Sequence, residues 1–350
     1  MPRVVGCDPG TSSLDLLLMV EGQVADQARF QAGELSAADG PARVIERLRT
    51  WLPLDLIAGP SGYGAPLVRA GQMTRAIRDE MTLVRVDEAG TAVGVGGFGR
   101  LLDALSAASD LPVIFTPGGI HLPTVPRWRK AGVVDLGTAD KVAVAALALA
   151  VNERERREGQ TSPERFGVVE FGTAFTSILV LDRGRLVDAQ AGTNGPIGLG
   201  SGGRWDGETA YLAGSLSKAH LFQGGWNDLV ASGWNHEEAT RALVESVVKA
   251  VAGLKAVTFM ERLDLSGRGW DHAVVGEPLI QALERLAPVR HLPGLPGAWV
   301  KPAAQGAAIL ADGLAGGEFR SVVAALELRS CRGSVRDGLV SLEGQAFDAS

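Results

Sequence analysis

The chain has 350 residues, 46% hydrophobic and 21% charged, with a formal net charge of −6. That length exceeds what one hydrophobic core usually supports, so two domains are expected. The acidic balance, with no basic stripe, argues against nucleic acid as a partner. The longest apolar run, 142–151, argues against a membrane span, since a spanning helix needs roughly 20 residues.

The two cysteines, Cys7 and Cys331, allow at most one disulfide, and the five histidines show no metal-ligand spacing. The opening Arg3-Val4-Val5-Gly6 reads as a strand instead of a signal peptide, so a cytoplasmic setting is expected.

In chain order, strand-like runs at 3–7, 14–20 and 23–31 are joined by short Gly-bearing turns, which predicts an antiparallel meander. Val44, Ile45, Leu48 and Leu52 have helical spacing, so a helix is expected over 41–51. A buried strand over 55–58 ends in the breaker-rich loop 59–64. Next come a helix over 93–108, strands over 113–115 and 133–136, and a long helix over 140–158. The pattern then restarts with strands over 166–171, 177–181 and 185–191 and a Gly-rich loop over 192–207. Helices are expected over 207–217 and 237–261, then a strand over 272–275 that runs through Gly276 into a helix over 279–286. A short extended piece at 289–291, a small-residue helix over 303–315 and a last helix over 318–328 complete the chain. A strand–strand–strand–helix–strand order thus occurs twice, which points to a duplicated domain. The expected division is 1–138 and 139–350, with the C-terminal segment free to return to the first domain.

Three segments carry chemistry. In Cys7-Asp8-Pro9-Gly10-Thr11-Ser12-Ser13 an acid ends a buried strand, and a turn of Gly and small hydroxyls exposes backbone N–H groups, a nest for an anion. Asp8 is suited to magnesium through water. Glu170-Phe171-Gly172-Thr173 repeats the design at the head of the second meander, so Asp8 and Glu170 are the candidate metal ligands and Gly10, Thr11, Ser12, Gly172 and Thr173 the candidate phosphate contacts. Gly276-Glu277 feeds a helix whose N-terminus faces a ligand. The small-residue helices 140–150 and 303–315 fit a close helix pair at a hinge.

This order of phosphate loop, connecting helix, phosphate loop, adenosine loop and connecting helix resembles the acetate and sugar kinase, Hsp70 and actin superfamily. The resemblance implies an α/β fold of two ribonuclease-H-like (actin-like ATPase) domains, with ATP and Mg²⁺ in an interdomain nucleotide cleft. It assigns Asp8, Gly10, Thr11 and Ser12 to the first phosphate loop, Glu170, Gly172 and Thr173 to the second, and Gly276 and Glu277 to the adenosine. Val133-Val134-Asp135-Leu136-Gly137-Thr138-Ala139-Asp140-Lys141 is similar to the segment of butyrate kinases that enters the connecting helix. More closely, the chain resembles an uncharacterised family labelled predicted butyrate kinases. It departs from the pattern in having Glu170 where many relatives carry Asp, and no double glycine beside Gly276.

At the acceptor end, a carboxylate meeting a phosphoryl group needs cations to offset the repulsion. Loop arginines Arg127, Arg129 and Arg204 suit this, because the guanidinium fork pairs in two places. Arg204 follows the second phosphate loop, about where acyl kinases place a catalytic arginine. Lys141 and Asp140, at the head of the connecting helix, complete the candidate catalytic set. His121, Asp206 and Glu208 are weaker candidates. The resulting expectation is an ATP-dependent kinase that phosphorylates a small carboxylate to an acyl phosphate, acting as a homodimer by family resemblance. Two alternatives stay open: an ATP-binding switch protein with no small-molecule acceptor, and an amide- or hydantoin-cleaving relative that does not use ATP.

Overall fold

The structure is a computed structural model that describes residues 2–10, 12–85, 88 and 97–340. The first run becomes a strand because it has two apolar faces to bury into. In β1 (Arg3–Pro9), Val5 and Cys7 pack to one side of the sheet and Val4 to the other. β2 (Ser13–Val20) and β3 (Gln23–Gln31) follow as the expected meander, with Cys7 opposite Leu16 and Asp8 opposite Asp15. The sheet is completed by β4 (Leu56–Gly59), β5 (Gly64–Arg69) and β6 (Val113–Pro117), in the order β3-β2-β1-β4-β6-β5. Its outer face is covered by α1 (Ala32–Ser36), α2 (Gly40–Arg49), α3 (Arg75–Thr82) and α4 (Phe98–Ala107).

The second sheet holds β7 (Arg165–Phe171), β8 (Thr176–Asp182), β9 (Arg185–Gln190), β10 (Arg262–Ser266) and β11 (Val289–His291), in the order β11-β10-β7-β8-β9. β7 repeats the role of β1. Each has an antiparallel partner on one side and a parallel strand on the other. The connecting helix α5 (Ala139–Arg157) precedes this sheet; α6 (Gly207–Ala213), α7 (Trp226–Ala231), α8 (His236–Val257) and α9 (Gly276–Glu284) sit within it in sequence. α8 is amphipathic, burying Ala239, Leu243, Val247, Val251 and Leu254 at near-helical spacing. α10 (Pro302–Leu314) and α11 (Arg320–Ala325) close the described fold.

α10 and the first two-thirds of α5 are apolar nearly all round and are buried between the sheets. Small residues let them meet backbone to backbone: a Cβ added at Gly306 of α10 would stand 1.7 Å from the Ala143 carbonyl oxygen of α5. α10 also lies against β1, where a Cβ at Gly6 would stand 2.2 Å from the Ala308 nitrogen. A buried ion network ties α5 to the second sheet: Arg262 and Arg290 each donate Nε to Asp264 Oδ1 at 2.8 Å, and Glu155 joins both arginines. Among the described residues no helix is long and apolar enough to cross a membrane.

Two expectations are corrected. Residues 133–136 are not a strand, because Asp135 Oδ1 accepts the Gly137 N–H at 3.0 Å and turns the chain. Residues 272–275 are not a strand either. β10 lies earlier, its Asp264 satisfied by two arginines, and His272 Nδ1 accepts the N–H groups of Val274 and Val275 at 3.4 and 3.3 Å on the way into α9. Beside β10, the elements passed over include β5, α1, α7 and α3, whose N-cap Thr74 accepts the Ile77 N–H. The part of the expected helix at 93–96 lies outside the described residues.

Candidate functional site

The turns after β1 and β7 face each other across a cavity of about 1030 Å³ between the two sheets. Both turns, the head of α5, the loop after β10 and the head of α10 contribute to its wall. Strand order explains the convergence: β1 and β7 occupy equivalent places, so their C-terminal ends carry Asp8 and Glu170 to the same cleft.

Three carboxylates and two lysines meet there. Lys141 Nζ lies 2.8 Å from Asp140 Oδ2 and 2.7 Å from Glu170 Oε2. Lys141 is the ion-pair partner of Glu170 Oε2. Thr138 donates to the other Asp140 oxygen. Lys301, at the head of α10, lies 2.8 Å from Asp8 Oδ2 and donates to Ser13 O at 2.9 Å. Its backbone N–H donates to Asp15 Oδ2 at 2.9 Å, and Arg29 clamps Asp15. Gly10 lies against the Lys301 ammonium: a Cβ there would come within 2.6 Å of it and push the flexible end of the lysine aside.

Burial pushes the Asp8 carboxyl up, against the opposing pull of Lys301. Burial likewise raises Glu170, opposed by Lys141. At Asp140 the upward push of burial is outweighed by Lys141 and by hydrogen bonds from Lys141 and Thr138, so it is held low. Lys141 is raised, because Asp140 and Glu170 together outweigh its own burial. The hydroxyls of Ser177 and Ser266 lie opposite Glu170 in β8 and β10 and are buried without hydrogen-bond partners among the described residues. The end of the cleft is therefore a set of hard oxygens, several of them unsatisfied.

Of the residues expected from sequence, Asp8, Gly10, Ser12, Asp140, Lys141, Glu170, Gly172 and Thr173 all line this cavity. Thr11 lies outside the described residues. The structure does not bring the others there. Arg127 and Arg204 are exposed and off the cavity wall. Arg129 is held away by Asp188 at 3.2 Å and by the Val187 carbonyl. Gly276 and Glu277 start α9 away from the cleft, because β10 ends ten residues earlier, at Ser266, and the turn that reaches the cavity is Gly267-Arg268. Gly267 has φ +96°, and a Cβ there would meet the Phe171 carbonyl at 2.3 Å. From this turn Arg268 reaches across to donate to Ser12 in the first loop. A legible signal existed in Leu263-Asp264-Leu265-Ser266-Gly267-Arg268-Gly269, an alternating strand leading into Gly-x-Gly. His121 is buried off the cavity with both ring nitrogens unpartnered among the described residues.

Sequence reasoning also missed Asp135, Lys218 and Lys301, all lining the cavity. Burial pushes the Asp135 carboxyl up to about 6. Burial pushes Lys218 down to about 8. Lys218 Nζ donates to Tyr63 Oη and to Leu83 O, each at 3.3 Å, and stands 4.7 Å from the Tyr63 ring centre.

A family profile described as "Protein of unknown function (DUF1464)" matches residues 6–340. No curated protein matches the chain. Among solved structures, a propionate kinase from Francisella tularensis subsp. tularensis SCHU S4 is similar with TM-score 0.58 and 14% identity, covering 88% of this chain and 98% of that one. An acetate kinase from Entamoeba histolytica is similar with TM-score 0.53 and 10% identity, covering 81% of this chain and 87% of that one. At these identities the likeness establishes the fold, the two-domain actin-like ATPase architecture.

Proposed function

The chain belongs to the DUF1464 family of proteins of unknown function, and from its cleft we propose that it binds ATP with Mg²⁺ and transfers the terminal phosphoryl group to a small carboxylate-bearing acceptor. The observation that supports this most is the convergence of Asp8 and Glu170, from topologically equivalent strand ends, on one cavity that also holds Lys141 and Lys301. The fold likeness to acetate and propionate kinases agrees with it.

The residues present fit magnesium. Among the described residues no three acidic, His or Cys side chains form a complete metal cage. Magnesium does not need one, because it keeps waters and takes one or two carboxylates plus phosphate oxygens. Asp8 and Glu170 would hold it, and bound magnesium would supply charge neutralisation at the phosphates. The backbone of the two turns would position phosphate oxygens, and Lys141 and Lys301 would exchange carboxylate partners for phosphate ones. The cleft walls would exclude water from the transferred group.

The finer version of this reading is a short-chain acyl kinase of butyrate type that forms an acyl phosphate. A second version, transfer to a hydroxyl, is favoured by one observation: Asp135, a cleft carboxylate raised to about 6, has the character of a general base. Thermal unfolding with and without MgATP tests the nucleotide. A ligand at 100 times its Kd adds about 2.7 kcal/mol, and an unchanged unfolding temperature at millimolar MgATP would reject ATP binding. Acceptor-dependent ADP release, read with hydroxylamine trapping, then tests the transfer.

A further inference from the structure

Resting on the phosphotransferase reading, a second cluster in the same cavity points to the acceptor. Three lysines line the cavity: Lys141 and Lys301 are ion-paired with carboxylates, whereas Lys218 forms no ion pair with any described carboxylate. Its ammonium has only the Tyr63 hydroxyl and the Leu83 carbonyl, both at 3.3 Å. Glu88 accepts the Lys218 backbone N–H, and Glu88 and Asp135 act on the ammonium through space without outweighing its burial, so an entering anion in direct contact offsets the remaining cost.

Asp135 shares the cavity wall with this lysine and with Asp140 and Lys141 at the head of α5. It interacts electrostatically with Asp140 and Lys141 in one direction, and Lys218 and Tyr63 feel it in the other. Its Oδ1 accepts the Gly137 N–H, the carboxylate also accepts the Thr193 backbone N–H, and Oδ2 lies over Gly192, where a Cβ would come within 2.2 Å. The side chain is buried yet reaches the cavity wall. Phe175 and Phe222, their ring centres 5.0 Å apart, supply apolar surface to the same cavity.

A carboxylate placed beside Asp135 would set two anions together and use no proton acceptor. A hydroxyl there uses Asp135 as its base. We infer that the acceptor is a short hydroxy-carboxylate, held by its carboxylate at Lys218 and Tyr63 and phosphorylated on the hydroxyl that faces Asp135. In the step, the hydroxyl oxygen gains a bond to the terminal phosphorus of ATP. The bond from that phosphorus to the β,γ-bridging oxygen breaks, its electron pair leaving on ADP. The hydroxyl proton passes to the Asp135 carboxylate.

The test uses the full chain with MgATP and matched acceptors: glycerate and lactate against propionate, 3-hydroxybutyrate against butyrate, and glycerol as an alcohol without a carboxylate. Hydroxy acids are expected to release ADP and give an ester that yields no hydroxamate with hydroxylamine. Asp135→Asn should lower kcat roughly 100- to 10,000-fold, the span of general base catalysis, while stabilisation by MgATP is kept. Lys218→Met should raise KM for the hydroxy acid about tenfold or more, as loss of a charge-assisted contact does, with a smaller change in kcat. Hydroxamate formation from propionate or butyrate at an equal or higher rate overturns the inference, and so does glycerol serving as well as glycerate. No ADP release with any hydroxy acid, in a protein that MgATP still stabilises, overturns it while leaving nucleotide binding standing. Failure of MgATP to stabilise the wild-type protein refutes both.

Discussion

Two glycines inside helices should respond to alanine with opposite signs. Gly306 in α10 faces α5 so closely that an added Cβ would stand 1.7 Å from the Ala143 carbonyl oxygen and 2.3 Å from its carbon. Real Cβ atoms essentially never come under 3.0 Å, so the helices must part by about 1.5 Å, in an interior as densely packed as an organic crystal. Gaps of even 0.5–1 Å forfeit roughly a quarter to a half of each dispersion contact, and overpacking typically costs about 1–3 kcal/mol, occasionally more. Because α5 and α10 are both buried along most of their length, the upper part of that range applies. The intrinsic helix gain of about 0.5–1 kcal/mol for replacing Gly by Ala offsets only part of it. Gly253 in α8 has nothing within 4 Å of an added Cβ. Gly253→Ala should therefore add about 0.5–1 kcal/mol, while Gly306→Ala should cost about 2 kcal/mol net. Urea unfolding of both variants, followed by circular dichroism, measures the contrast. If Gly306→Ala were as stable as wild type while Gly253→Ala gained the expected increment, backbone contact between the two helices would be refuted as a determinant of stability.

Further outcomes concern buried charge. Asp264→Ala should destabilise by about 1.5–3 kcal/mol, the cost of charge-assisted hydrogen bonds; Arg262 and Arg290 would lose their shared carboxylate and keep only Glu155, and a loss under 1 kcal/mol in urea unfolding would contradict this. The pH dependence should contain two opposed contributions. Burial lowers His121 to about 4, so folding is penalised progressively as pH falls below its unfolded value near 6.5, by about 3 kcal/mol in full. Burial raises Asp135 to about 6, so folding is penalised as pH rises from near 4 to 6, also by about 3 kcal/mol. Relative to wild type, Asp135→Asn should gain stability between pH 4 and 7, and His121→Leu should gain as pH falls from 6.5 to 4. Parallel curves for wild type and variants would contradict the sign assignment.

The parts of the fold written in local pattern were legible. β1, β2, β7 and β8 are nearly continuous apolar runs, and Asp8 and Glu170 stand out as acids where those runs end. α5 was visible from its apolar first half. β10 was not, because a strand carrying Asp264 at its centre looks polar until Arg262 and Arg290 are found around it. The Gly276 assignment followed from that displacement. The cations were misjudged for a different reason. Arg127 and Arg204 have the chemistry an acceptor site needs, and sequence does not say which way a loop side chain points. Lys301 meets Asp8 only because α10 returns to β1, and Lys218 stands in a stretch with no periodicity to single it out.

The return of α10 to β1 also sets the order in which the protein can be made. Val4, Leu17, Met19 and Ala58 belong to the core that α5 and α10 complete, and Gly6 rests directly on Ala304 and Ala308. A ribosome adding 5–20 residues per second needs roughly 9–37 s to lay down the chain of about 185 residues between the end of β6 and the start of α10. Throughout that interval the first sheet has been synthesised with one of its apolar faces lacking its final cover. The helix that gives the finished cleft its tight seam therefore leaves the nascent chain a long exposure, during which chaperone capture or premature self-association competes with native closure.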